Sequence, residues 1–189
     1  MGANVDRSRR KVLLFVLLFV FTAALPVLAR GPWVAGYSLG FSGNDIVVSF
    51  SVKGALDRPD MKEAILSTRP VKLTFYTQVI KHRALWKNKV IAEKVVKHIV
   101  RYDTLTKQYK VQTLVDDVLS EERTLATWDE MVGYMVSIAD LKVVSVADLV
   151  PSENSYTVRV KVHVLSNLVL WIIPWSVETP WVEKKLVTP

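Results

Sequence analysis

A chain of 189 residues, 50% hydrophobic and 23% charged, has the make-up of one packed domain plus a terminal segment, which excludes a disordered polypeptide. It contains no cysteine, so disulfides, thiolate metal sites, cysteine nucleophiles and the acylated cysteine of a bacterial lipoprotein are all excluded. The net charge is +7, of which Arg7, Arg9, Arg10 and Lys11 against Asp6 place +3 in residues 1–29. The remaining +4 is scattered among acids, without the clustered basic face and interleaved aromatics that nucleic-acid binding needs.

The N-terminal basic block leads into an apolar run from Val12 to Leu28, broken only by Thr22 and Pro26, and then into Val27-Leu28-Ala29. Charged, apolar and compact segments in this order describe a secretory signal peptide over residues 1–29. An uncleaved membrane anchor is the second reading, although the run falls a little short of the ~20 apolar residues of a spanning helix. Either way the expected location is the periplasm, free or anchored to the inner membrane.

Residues 30–36, with Gly31, Pro32 and Gly36, read as an irregular arm. A first strand over 37–41 turns through Ser42-Gly43-Asn44-Asp45 into a second over 46–53, in which Ile46, Val48, Phe50 and Val52 share one face. Asp57-Arg58-Pro59-Asp60 opens a short helix, with proline in its first turn and acids near the positive end of the dipole. Met61, Ala64 and Ile65 give that helix its apolar face, and Pro70 ends it. Val71, Leu73, Phe75, Thr77 and Val79 alternate as a strand. Past a turn at Trp86–Lys89, the chain runs back as a long strand over 90–102. Thr104-Leu105-Thr106 breaks the pattern before Tyr109, Val111 and Thr113 resume it, the signature of two adjacent antiparallel strands.

The order then repeats. A strand over 108–114 leads into an acidic connection, Asp116–Glu122. Thr127-Trp128-Asp129-Glu130 has the spacing of a capping box, and Trp128, Met131, Val132 and Met135 line one helix face. A strand over 141–147 and a turn at Pro151–Asn154 precede Tyr156–Val164, where valines alternate strictly with Thr157, Arg159, Lys161 and His163. Strand–helix–strand–strand thus occurs twice, without residue identity between the halves. The expected fold is α+β over residues 37–166, a curved, mainly antiparallel sheet with two helices packed on one face; a β-sandwich with helical insertions is the alternative. The tail, 167–189, sets Trp171, Trp175 and Trp181 among Pro174, Pro180 and Pro189, which forbids a continuous helix. It is expected to pack on the domain. Its indoles, which suit a boundary with one wet and one apolar side, form the candidate interaction surface together with Tyr102 and Tyr109, which stand beside Arg101, Lys107 and Lys110.

Signals for chemistry are sparse. His82, His98 and His163 have no histidine or carboxylate at a chelating offset, so neither metal nor cofactor is expected. No Gly-x-Ser-x-Gly elbow and no glycine-rich phosphate loop occurs. An enzyme would have to gather two or more of His98, Asp103, Tyr109, Asp116, Asp117 and His163 in one concave site, and the chain is read as a non-enzyme.

Trp86, Val90-Ile91-Ala92, the run Arg101-Tyr102-x-x-Leu105-Thr106-x-x-Tyr109-Lys110-Val111, then Tyr156-x-Val158-Arg159-Val160 with Trp175 and Trp181, together resemble the bacterial family called domain of unknown function 4390, over roughly residues 37–182. Many members carry an Arg-Trp-Tyr-Trp-like cluster where this chain has Arg83-Ala84-Leu85-Trp86. The resemblance implies an exported or membrane-anchored protein and supplies no catalytic residues. The function expected is a non-enzymatic envelope module that binds a protein partner, with a membrane surface as a further contact. A carrier of a small apolar ligand or lipid is the second expectation, an enzyme the third.

Overall fold

The computed structural model describes residues 31–83, 86–150, 156–169 and 173–186, without the side chains of 166–169 and 173–175. The expected leader (1–29), the turn at 151–154 and Trp171 lie outside the described residues.

The described chain is mostly antiparallel sheet with two helices. Strand β1 (Trp33–Ser42) turns through Gly43-Asn44 into β2 (Asp45–Lys53). The two-residue turn needs left-handed backbone, supplied by Gly43 at φ +59°. β1 takes in Trp33–Gly36 of the stretch read as an arm, with a register break between Ala35 and Ser38 where Gly36 has φ +61°. Helix α1 (Pro59–Leu66) follows, burying Met61, Ala64 and Ile65. Next come β3 (Val71–Lys81), β4 (Lys89–Asp103), β5 (Gln108–Val115) and β6 (Val118–Leu125). Helix α2 (Trp128–Met135) has the expected capping box: Thr127 accepts from the Glu130 amide while the Glu130 carboxylate takes the Thr127 amide. β7 (Ser137–Ser145), β8 (Tyr156–Val169), β9 (Ile173–Glu178) and β10 (Val182–Leu186) complete the chain.

These strands form two sheets where one was expected. One has the order β1-β2-β7; the other runs β10-β8-β3-β4-β5-β6, with β9 also on β8, and neither closes into a barrel. Their inner faces meet in one core. Phe50 of β2 lies edge-on to Phe75 of β3 at 5.8 Å and to Tyr37 of β1 at 6.3 Å. The Tyr37 hydroxyl donates across the layers to the Val158 carbonyl at 2.9 Å. Val71, Leu73, Phe75 and Val79 of β3 and Tyr156, Val158, Val160, Val162 and Val164 of β8 are buried against that layer, each fully buried side chain worth roughly 1.5–3 kcal/mol. Both helices bury their apolar stripes in the same core. The arrangement is closer to the sandwich alternative than to one curved sheet, since two short helices lack the area to cover so long an apolar face.

The second half also departs from the expected repeat. The acidic connection Asp116–Glu122 is in fact the turn and first part of β6. Asp116 and Asp117 occupy the left-handed region at φ +50° and +67°, forming a two-residue hairpin turn of the mirror-image kind that aspartate tolerates. Polar residues along β6 hid the strand, because β6 is the edge of its sheet and much of it faces solvent. In the tail, β10 pairs with Tyr156–Val160 of β8 and β9 with His163–Val169, end to end along one edge. Pro174 sits in an edge strand, where a missing amide is tolerated. No helix among the described residues is long and apolar enough to cross a membrane.

Candidate functional site

Beyond the cover of the three-stranded sheet, the inner face of the larger sheet opens into a cleft of about 420 Å³. Its floor comes from β4 and β5, one wall from β6, and the other from α2 and the start of β7. Strand alternation sets the lining: Val96 and His98 from β4, Thr113 and Val115 from β5. The register Thr113↔Glu121 and Val111↔Arg123 turns Glu121 and Arg123 of β6 the same way. Tyr134 enters from α2, and Ile138 and Leu141 from β7. β6 pairs with β5 alone and β7 with β2 alone, so among the described residues both strands bordering the cleft have an outer edge without a partner.

A connected polar network runs through this lining. The Tyr134 hydroxyl donates to Glu121 Oε2 at 2.8 Å and lies 2.9 Å from Thr113 Oγ1. A hydroxyl has one hydrogen and the Tyr134 hydrogen is committed, so Thr113 is the donor to Tyr134. Arg123 Nε donates to Glu121 Oε1 at 2.6 Å, and its guanidinium lies 4.8 Å from the centre of the Tyr134 ring. His98 stacks on the same Tyr134 ring, its centre 5.3 Å away and nearly parallel at 18°. His98 Nδ1 is 3.0 Å from the Met135 carbonyl.

The electrostatics follow from burial and partners. Burial lowers the pKa of His98 against the opposing pulls of the Met135 carbonyl and the Glu121 charge, which keeps the imidazole neutral. The Arg123 and Tyr134 hydrogen bonds hold the Glu121 carboxyl below its ordinary range. Burial raises the Tyr134 phenol. The cleft therefore combines a neutral base, an ionised carboxylate already engaged twice, and apolar walls. Among the described residues no group of three or more His, Cys, Asp or Glu side chains is placed to hold a metal ion.

The residues singled out from sequence lie mostly elsewhere. Of the six that an enzyme would have to gather, His98 lines the cleft. Asp103 takes the Leu105 and Thr106 amides and pairs with Lys110 at 2.9 Å, capping the β4–β5 turn. Its carboxyl is lowered to about 2, first by the Lys110 hydrogen bond. Asp116 pairs with Lys94 at 2.7 Å and takes the Val95 amide, and Asp117 pairs with Lys97. His163 stands opposite Glu178 on the β8 edge. Tyr102 and Tyr109 are cross-strand neighbours with ring centres 5.0 Å apart, and Tyr109 is buried under Trp128 at 6.1 Å. Trp181 lies beneath the Arg159 guanidinium at 4.3 Å and near Lys161 at 5.2 Å. Trp175 is in β9 with its backbone opposite Ser166; its side chain and Trp171 lie outside the described residues. Sequence reading missed Glu121, Arg123, Thr113 and Tyr134. The available signal was Glu121-x-Arg123, which puts opposite charges on one face of a strand, but only once β6 is recognised as a strand.

The family model for a domain of unknown function (DUF4390) matches residues 36–183. The chain belongs to that family. The match spans both sheets of this DUF4390 domain, from the β1 bulge to β10, and so includes every residue of the cleft. No curated protein and no solved structure matches the chain. Within the matched span, Trp86 is 79% exposed.

Proposed function

We propose that this DUF4390 domain is an exported, non-enzymatic envelope module that binds a partner protein by taking an extended segment into the cleft between β6 and β7. The observation that carries the reading is an open cleft bordered by two strand edges without backbone partners. Such edges offer an extended chain rows of amide and carbonyl groups, while a pocket beside them selects side chains. Export rests on the order of charged, apolar and compact segments in residues 1–29. The absence of an enzymatic role is supported by the separation of Asp103, Asp116, Asp117 and His163 into individual ion pairs, turns and strand edges, away from the cleft. A carrier of a small apolar ligand is the second reading, favoured by the cleft volume alone. Against it stands the Glu121–Arg123 pair, which an apolar occupant would strip of water without compensation.

The test is site-specific photo-crosslinking in the envelope fraction, with the probe at Ala139 in the cleft or at Glu93, which strand alternation puts on the opposite sheet face. The expected result is one protein adduct from position 139, absent from position 93 and abolished by Ile138→Lys. Equal adducts from both positions, or none from 139, would remove the reading. Intact mass of the mature protein tests export, with loss of residues 1–29 expected.

A further inference from the structure

The hydroxyl hydrogens of Thr113 and Tyr134 are already committed to neighbouring side chains. The Met135 carbonyl can only accept, so the imidazole proton of His98 sits on Nδ1 and Nε2 keeps a bare lone pair. His98 is 4% exposed, yet among the described residues Nε2 has no partner. It is also not sealed from solvent in the way that Thr77 Oγ1 is; its lone pair therefore opens on the cleft that the ring lines. The ring is fixed by the stack on Tyr134 and by the edge of Phe75 at 5.1 Å. Thr113 donates to Tyr134 and Tyr134 to Glu121, so the capacity left on the floor is for accepting. Val96 and Val115 of the floor, with Ile138 and Leu141 of the β7 wall, add apolar surface around it.

An occupant that satisfies this floor brings a hydrogen-bond donor on an apolar body. A hydrocarbon would bury the Nε2 lone pair without a partner. A cation would come up against the Arg123 guanidinium, which already holds the face of Tyr134 and the Glu121 carboxylate. We infer that the cleft recognises a phenol, carried as a tyrosine side chain of the bound segment, whose hydroxyl donates to His98 Nε2. The tyrosine part rests on the peptide-binding reading above; the phenol part does not.

The two are separated with four probes on the full chain labelled with ¹⁵N-histidine: p-cresol, toluene, and the pentapeptides Ala-Val-Tyr-Val-Ala and Ala-Val-Phe-Val-Ala. The expected result is that p-cresol moves the resonance of the bare His98 nitrogen, that toluene leaves it in place, and that the tyrosine peptide binds about tenfold tighter than its phenylalanine counterpart, the worth of one net hydrogen bond. His98→Phe keeps a flat ring against Tyr134 and is expected to erase the preference. Should that variant fail to fold, the probe pairs on the unaltered protein decide alone. Equal binding of p-cresol and toluene, or p-cresol binding that leaves His98 unmoved, overturns the inference. Equal binding of the two peptides, with the Ala139 adduct intact, overturns it while leaving the peptide reading standing. Binding of p-cresol with neither peptide bound supports the phenol site and overturns its protein source.

Discussion

Two regions of one sheet face have been given opposite treatments. Under β1 and β2, the inner side chains of β3 and β8 are, apart from Thr77, valine, leucine, phenylalanine and tyrosine, closed off from water. Farther along the same face, where only α2 and the start of β7 reach, β4–β6 present His98, Thr113, Glu121 and Arg123 to an open cleft. Apart from irregularities at Val79/Ile80 and Thr113/Leu114, the strand pairing runs on from one region to the other, so strand geometry does not make the difference. Cover does. Where a second layer lies close, a polar inner side chain is desolvated at a cost, and apolar ones predominate; where the layer ends, charged groups survive by bonding one another.

The contrast can be broken hardest in its closed half. Phe75→Ala empties the junction between Phe50 and His98 and is expected to cost 3–5 kcal/mol in denaturant unfolding. The same truncation at Val115, beside the cleft and half-buried, should cost well under half as much, and equal losses would refute the distinction. In the opposite direction, Thr77 Oγ1 is buried without a partner in the closed half. Thr77→Val is expected to stabilise by about 1 kcal/mol, since it removes an unsatisfied hydroxyl and keeps the shape. A loss of stability would mean that this oxygen has a partner. In the open half, Tyr134→Phe strips Thr113 and Glu121 of their shared hydroxyl. The expected cost is about 0.5–1 kcal/mol, because Glu121 recovers water, and calorimetry resolves that from the Phe75 effect.

Acid should sharpen the same difference. Burial holds the folded-state pKa of His98 below its ordinary 6.5, so the unfolded chain takes up the proton first as pH falls. Stability is thus lost progressively below pH 6.5, and His98→Gln should flatten that part of the profile. Asp103 acts at lower pH and on a smaller scale. Its folded-state pKa is about 2 against an ordinary 3.8, so its contribution is present above pH 3.8 and fades as pH drops towards 2. Asp103→Asn should speed hydrogen exchange at the Leu105 and Thr106 amides, with little change elsewhere.

How far the sequence alone reached can be judged element by element. β2, β3, β8 and both helices were legible because each buries one face and so repeats with period 2 or 3.6; the capping box at Thr127 and Glu130 was legible because it is local. The division into two sheets was not, since pairing of β2 with β7 joins residues some ninety positions apart and leaves no mark on either strand. β6 was lost because an edge strand facing water has no apolar period to read. The site goes with it: Glu121 reads as part of an acidic connection, Arg123 belongs to no readable element, Tyr134 falls on the unremarked side of a helix, and His98 stands without visible company.

The two ends of the described domain are sewn together late. Tyr37 of β1 gives its hydroxyl to β8, and its carbonyl accepts from Lys184 of β10, 147 residues on. Contacts so distant along the chain close slowly. A ribosome-bound polypeptide that has not yet released Lys184 therefore still exposes the far rim of β8, and cannot complete its native structure until that residue has emerged.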